Sequence, residues 1–572
     1  MIATALLATA LSGYPVIESF DPSEELYAVS GEATPEGANA TYDPETDTLV
    51  RTRGGERIPN YLANRYAISF RPVNRHGTFK TPPVGWMTWY AVKFDACDDV
   101  VMRNARAFME KFRGYTDERP VLWVDWEWCH DRKFPMHEGD GDVLTPRPSA
   151  YPRGLKAVAD DLRALGFTPA LWVAVVNDVK TNALWRARPE WTLATARSWC
   201  GPVWGDPSAP GFCEEYVPRL FALYRSWGYE AFKWDCLPRM FEIIEMNRSQ
   251  MKDPSLTPRE TFRRFVAAGR RAIGPDTYLE SCSGEWGDKV NLLAIDLFDA
   301  GRIGGDIFKW PVFVEHGVRR ILSYYPFHNT VFWADADNLV LREEYSNLAQ
   351  ARTRVSIYAL AGVPITLGDE IAALDDARIE MLRKAMPVVA VRPASLSRGE
   401  LRDKLLRSRV EFARPFGSWQ VRAFSNMTTN ETLSATLDAP GCAVWDFWRD
   451  ELLADPSEND GSLTLEVPPA DTRLVRVTPV AKTGPTLVSV SRHVTQGGYE
   501  LRDYAADERG AKGLVRCPGR GDPVTVTFLL PKDCTVASAS HPFAATGRLV
   551  RLRLSSSAKE DVRFELRLSA FK

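Results

Sequence analysis

The chain has no C-x-x-C pair, no H-E-x-x-H and only seven histidines, so the thiolate and imidazole spacings that hold zinc are missing. Its nine cysteines are scattered, an odd number that points to mostly reduced, buried thiols. No glycine-rich loop of the phosphate-cradling kind opens a helix, which removes the usual nucleotide site. Charge of either sign is not in excess: 71 basic residues stand against 74 acidic ones, a net charge of −3, so neither nucleic acid nor an anionic membrane is attracted. No apolar run reaches the roughly 18 to 20 residues of a membrane-spanning helix. The opening stretch Met1 to Gly13 is apolar and ends in small residues, but it lacks a basic start. The compartment therefore stays open. No solenoid-length repeat or low-complexity tract is present.

What the chain does have is aromatic surface: 18 Trp, 18 Tyr and 27 Phe. Most of these must pack cores, yet flat rings also stack on the apolar faces of sugars, which suits an uncharged partner. At 572 residues the chain exceeds what one core supports, and its texture changes along its length. Residues 1–81 are polar and turn-rich, with alternating segments such as Ala67-Ile68-Ser69-Phe70, and predict a small β-rich N-terminal element. Residues 82–387 alternate short apolar runs with amphipathic helical stretches. The runs include Val121 to Val124, Ala170 to Val176, Ala231 to Trp234, Tyr278 to Ser281, Leu297 to Ala300, Val331 to Trp333 and Val363 to Thr366. Repeated strand-then-helix units without a phosphate loop predict a (β/α)8 TIM barrel rather than a doubly wound sheet. Residues 388–480 alternate strictly, as in an antiparallel β-sandwich, and residues 481–572 repeat that texture as a second accessory β domain.

Two segments carry chemistry: Lys233-Trp234-Asp235-Cys236 and Arg302-Ile303-Gly304-Gly305-Asp306. Each sets an aspartate just beyond an apolar run, where a barrel strand would deliver it to the pocket at the carboxyl end. Two carboxyls converging from distant parts of the chain are what glycoside hydrolysis requires, one to protonate the leaving oxygen and one to attack or to activate water. Lys233 lies two residues before Asp235 and so faces the same side of a strand, where its ammonium favours the ionised carboxylate. Arg302 and Asp306 have the spacing of a surface helix pair, but Gly304-Gly305 between them argues for a loop.

These segments, with Pro83-Val84-Gly85-Trp86-Met87-Thr88-Trp89, Ser281-Cys282-Ser283-Gly284-Glu285-Trp286, Trp333-Ala334-Asp335-Ala336-Asp337-Asn338-Leu339 and Leu367-Gly368-Asp369-Glu370, stand in an order that resembles the melibiase-type glycoside hydrolase clan, the α-galactosidases and α-N-acetylgalactosaminidases. The resemblance covers Pro82 to about Pro479. It implies a retaining, exo-acting α-glycosidase with no metal or organic cofactor, acting on an oligosaccharide or glycan, with α-galactosidase the leading activity. It further implies that Asp235 is the nucleophile, that Asp306 is the acid/base with a raised pKa, and that Lys233 and Arg302 bind the sugar. Trp89, Trp128 and Trp286 would wall the pocket, and Asp125 and Glu285 would hold hydroxyls. Asp335 and Asp337 read as loop-organising residues.

One position departs from the resemblance. Where the clan carries adjacent aspartates before a tryptophan, this chain reads Asp125-Trp126-Glu127-Trp128. An indole cannot accept the hydrogen bonds a carboxylate accepts, so recognition of an axial O4 would fall to Glu127. An α-N-acetylgalactosaminidase, a β-L-arabinopyranosidase and a transglycosylase therefore stay open beside the α-galactosidase. A non-catalytic glycan-binding protein is the alternative of another class.

Overall fold

The structure, a computed structural model, describes residues 16–21, 26–30, 40–129, 143–175, 184, 187–196, 203–284, 287–389, 391, 401, 404–457 and 461–570. Eight parallel strands form its centre: β1 (Val84–Met87), β2 (Val121–Val124), β3 (Thr168–Val173), β4 (Ala231–Trp234), β5 (Tyr278–Ser281), β6 (Ala300–Arg302), β7 (Trp333–Asp335) and β8 (Ile365–Leu367). They pair in chain order from β1 to β7, and β8 pairs back onto β1. A parallel bridge between Leu339 and Leu367 links the segment after β7 to β8 and closes the ring. This is the TIM barrel expected from the alternating pattern.

Two faces of each strand see different surroundings, and the period-two alternation of side chains separates them. Phe232 and Trp234 of β4 join the large outer cluster beneath the helices, whereas Ala231 joins an inner cluster with Trp123, Ala170, Tyr278, Ala300 and Trp333. Two residues further along the same inward faces come Trp172, Lys233, Glu280, Arg302 and Asp335. The barrel interior is thus apolar at the bottom and charged at the top. The covering helices are begun by side chains that satisfy their free N–H groups: Thr257 and Glu260 form a reciprocal capping box on Pro258–Ile273, as do Asn347 and Gln350 on Leu348–Ala361.

Before the barrel lies a five-stranded sheet that includes Ala40–Asp43 and Thr48–Arg51. After it, a five-stranded antiparallel sheet that starts with the hairpin Leu405–Arg414 and Gly417–Asn426 packs against the pair Leu433–Asp438 and Ser462–Val467. Two four-stranded sheets beyond Thr486 enclose a separate core containing Val526, Phe528, Leu552 and Phe564. This last unit grips the barrel: Tyr499 Oη donates to Asp117 Oδ1 at 2.8 Å, and Tyr115 Oη donates to Asp522 Oδ2 at 3.0 Å. Among the described residues seven cysteines are free, in line with the expectation of mostly reduced thiols, and Cys236, which follows Asp235, is disulfide-bonded. The opening Met1 to Gly13, and Glu285 and Trp286, lie outside the described residues.

Candidate active site

Asp125, Asp235, Asp306, Asp337 and Asp369 all follow the carboxyl ends of barrel strands, where the loops of this fold build a pocket. Lys233 organises one side. Its Nζ lies 2.8 Å from Asp125 Oδ2, and both side chains are almost fully buried. Burial pulls the lysine pKa down, but Asp125 together with Cys282 and Asp235 outweighs it, so Lys233 is held well above its ordinary value and stays charged. Asp125 is fixed in turn by its own Oδ1, which accepts the Trp126 N–H at 2.8 Å, and by its N–H, which donates to Thr88 Oγ1 at 2.9 Å.

Asp235 is half-buried and accepts two hydrogen bonds: from Trp172 Nε1 at 2.9 Å on Oδ2 and from the Cys236 N–H at 2.6 Å on Oδ1. Cys236 itself has φ 66° and ψ 9°, a left-handed conformation unusual without glycine. That turn aims the amide back at the carboxylate. Trp172 was missed by the sequence reading. The available signal was period two, because Trp172 sits two residues after inward-facing Ala170 and directly beside Lys233 in the β3–β4 register. Burial raises the Asp235 pKa, against the opposing pull of Lys233, Trp172 and the Cys236 amide.

Arg302 organises the other side. Only 2% exposed, it reaches Asp337 Oδ1 at 3.0 Å through Nη1 and Asp306 Oδ1 at 3.3 Å through Nη2, while Nη2 also donates to the Gly304 carbonyl at 3.1 Å. Gly304 is required here, since a Cβ would come within 1.9 Å of the His316 carbonyl oxygen. The Asp306 side chain is 57% exposed and accepts from Trp89 Nε1 at 3.4 Å. Burial of its carboxyl pushes the pKa up, but Arg302 and then Lys233 outweigh it, so Asp306 is held below the usual carboxylate range. A raised value was expected, and the near contact with a permanent cation is the reason it is not found. Lys233 acts electrostatically on both Asp235 and Asp306, which brings the two carboxyls to one site.

Trp89 and Trp126 meet edge to face with ring centroids 5.1 Å apart, and Phe94 lies 5.1 Å from Trp126, so an aromatic wall stands beside Asp306. Glu127 and Trp128 do not belong to it. Glu127 is fully buried, accepts from Thr88 Oγ1, and is pushed up to about 8 by burial and then by the neighbouring Asp125. It stands behind the pocket, without an exposed face to offer a hydroxyl. Trp128 is also fully buried, donates Nε1–H to the Trp172 carbonyl at 2.9 Å, and packs edge-on against Tyr224 and Trp227 beneath the helices. The cause is the tight 3-10 turn Trp126–Trp128, which sends its first and third side chains to opposite sides of the strand end. Asp337 is loop-organising as expected: its Oδ2 accepts the Ile307 N–H at 2.8 Å.

No family model matches the chain. Among curated proteins it is 24% identical over 324 residues to the probable α-galactosidase D of Neosartorya fischeri, covering 55% of this chain and 44% of that protein. It is 22% identical over 347 residues to the α-galactosidase of Cyamopsis tetragonoloba, covering 60% and 70%. The fold is similar to that of a GH27 β-L-arabinopyranosidase from Geobacillus stearothermophilus, with a TM-score of 0.56, 19% identity and coverage of 71% of this chain and 98% of that one. The chain is thus similar in sequence to α-galactosidases, and its fold is similar to that of a GH27 glycoside hydrolase. It spans less than half the length of the Neosartorya relative.

Proposed function

We propose that the chain is a retaining, exo-acting α-glycosidase of the α-galactosidase type, in which Asp235 attacks the anomeric carbon and Asp306 protonates the leaving oxygen. The observation that carries this reading is the pair of carboxyls after β4 and β6, Asp306 bound by the buried Arg302 and both carboxyls under the electrostatic pull of the buried Lys233. Trp172 and the Cys236 amide aim the Asp235 carboxylate, leaving a lone pair for attack. Lys233 keeps charge on that side of the pocket and offers its remaining donors to a sugar hydroxyl, as Arg302 does opposite.

In the open pocket the pKa order is the reverse of what catalysis needs, since Asp235 is raised and Asp306 lowered. Substrate itself corrects this. A neutral sugar displaces water from the exposed Asp306 carboxyl and raises its pKa by desolvation, while positive charge developing at the anomeric carbon favours ionised Asp235. Once the glycosyl-aspartate has formed, Asp306 accepts the proton of the attacking water.

A second reading concerns the sugar. Trp126 puts an indole where the clan places a second aspartate, and its packing against Trp89 narrows that end of the pocket. With Glu127 buried behind it, a pyranose without a hydroxymethyl group, such as L-arabinopyranose, fits better than galactose. The two aspartates test the first reading. Asp235→Ala should abolish turnover of every aryl glycoside, whereas Asp306→Ala should spare activated ones, because a good leaving group needs little protonation. Near wild-type rates from folded Asp235→Ala protein would overturn the assignment, and an initial product of inverted configuration would overturn retention.

A further inference from the structure

Glu280 lies inside the barrel on β5, opposite Lys233 in the β4–β5 register, and only 4% of its surface is exposed. Nothing in the proposed reaction uses it. Its Oε2 accepts from the Tyr278 hydroxyl at 3.3 Å, and among the described residues no donor reaches its Oε1. Its carboxyl also lies within hydrogen-bonding reach of the Asp335 carboxyl. Two carboxylates cannot hydrogen-bond each other without a proton between them. The remaining charged groups around the pair are Lys233 from β4 and Arg302 from β6, and both are already bound to Asp125 and Asp337.

From Asp335 a continuous chain of contacts runs to the acid/base. Asp335 Oδ1 accepts the Asp337 N–H at 2.9 Å, Asp337 Oδ2 accepts the Ile307 N–H at 2.8 Å, and Asp337 Oδ1 holds Arg302 at 3.0 Å. Ile307 is the residue after Asp306, and Arg302 binds the Asp306 carboxyl itself. We propose that Glu280 keeps its proton and through it donates a hydrogen bond to the Asp335 carboxylate, making Glu280 the positioning residue that anchors the loop carrying Asp306. Burial and the adjacent Asp335 charge both favour the protonated form, well above the ordinary carboxylate range. If that proton is lost, two like charges face each other under the pocket, Asp335 turns away, and the support for Asp337 and Arg302 loosens.

The inference rests on the proposed glycosidase reading for its kinetic part, and its spectroscopic part stands without it. An infrared difference spectrum between wild type and Glu280→Gln at neutral pH should show one buried carboxylic-acid carbonyl band in the wild type alone. Kinetically, Glu280→Gln supplies an amide donor to Asp335 and should keep turnover within about threefold of wild type on an unactivated α-glycoside. Glu280→Ala should lose about 10- to 100-fold on that substrate, a part of the 10²–10⁴ that general acid catalysis supplies, and no more than about threefold on an activated aryl glycoside. Absence of the band overturns the proposal, as does an Ala variant that loses equally on both substrates. If Glu280→Ala does not fold, the Gln spectrum and its turnover decide. If the wild type turns over neither glycoside, the function reading has failed and the band alone tests the proton.

Discussion

Trp172→Phe removes a single N–H from the site and leaves a ring in its place. In the structure that N–H donates to Asp235 Oδ2 at 2.9 Å from a side chain only 1% exposed. A hydrogen bond to a charged group is worth about 1.5 to 3 kcal/mol, which at 1.4 kcal/mol per decade is about a 10- to 100-fold loss if the bond is retained in the transition state for attack. The same bond opposes burial in setting the Asp235 pKa, and without it that pKa rises further. The acid limb of the pH profile should therefore move to higher pH, since Asp235 must be ionised to attack. The assay is kcat/KM on an activated aryl glycoside from acid to neutral pH, with thermal melting to establish that the variant is folded. An unmoved acid limb and kcat/KM within about twofold of wild type would refute the claim that Trp172 tunes the nucleophile.

The wall residue Trp126 sets the second prediction: Trp126→Asp should raise α-galactoside turnover relative to β-L-arabinopyranoside turnover, by a factor on the order of 10 for one charge-assisted hydrogen bond gained, and an unchanged ratio in competition assays would remove Trp126 from specificity. Glu127 is held protonated, with a folded pKa of about 8 against an ordinary 4.5, so the stability it supports is complete below 4.5 and lost as pH rises through 8. Melting temperatures of wild type should accordingly fall between pH 6 and pH 9 more steeply than those of Glu127→Gln, and parallel curves would contradict this.

Three barrel strands were legible at once: Val121–Val124, Ala231–Trp234 and Tyr278–Ser281 stand where the runs predict. Two others lie further along than their runs, Ala300–Arg302 instead of Leu297 to Ala300 and Trp333–Asp335 instead of Val331 to Trp333. The shift has one cause: these strands end on the charged residues of the site, and an apolar scan stops before them. Leu405–Arg414 escaped notice for a related reason, because Arg407, Arg409 and Glu411 interrupt it. At the site, Asp235, Asp306, Lys233 and Arg302 were readable because short motifs carry them. Glu127 and Trp128 were misplaced because neighbours in a tight turn face different ways, and Trp172 was overlooked because nothing in the apolar run around it marks a donor.

The charged upper layer of the barrel restricts how this protein can diverge. Lys233 with Asp125 and Arg302 with Asp337 are buried ion pairs, and stripping one member from such a pair strands the other at a cost of about 3 to 5 kcal/mol. A lineage cannot change these residues one at a time without passing through a crippled intermediate. The aromatic face of Trp89, Phe94 and Trp126 carries no such debt, since each ring can be exchanged singly. New sugar preferences should therefore arise along that face, while the machinery opposite it stays frozen.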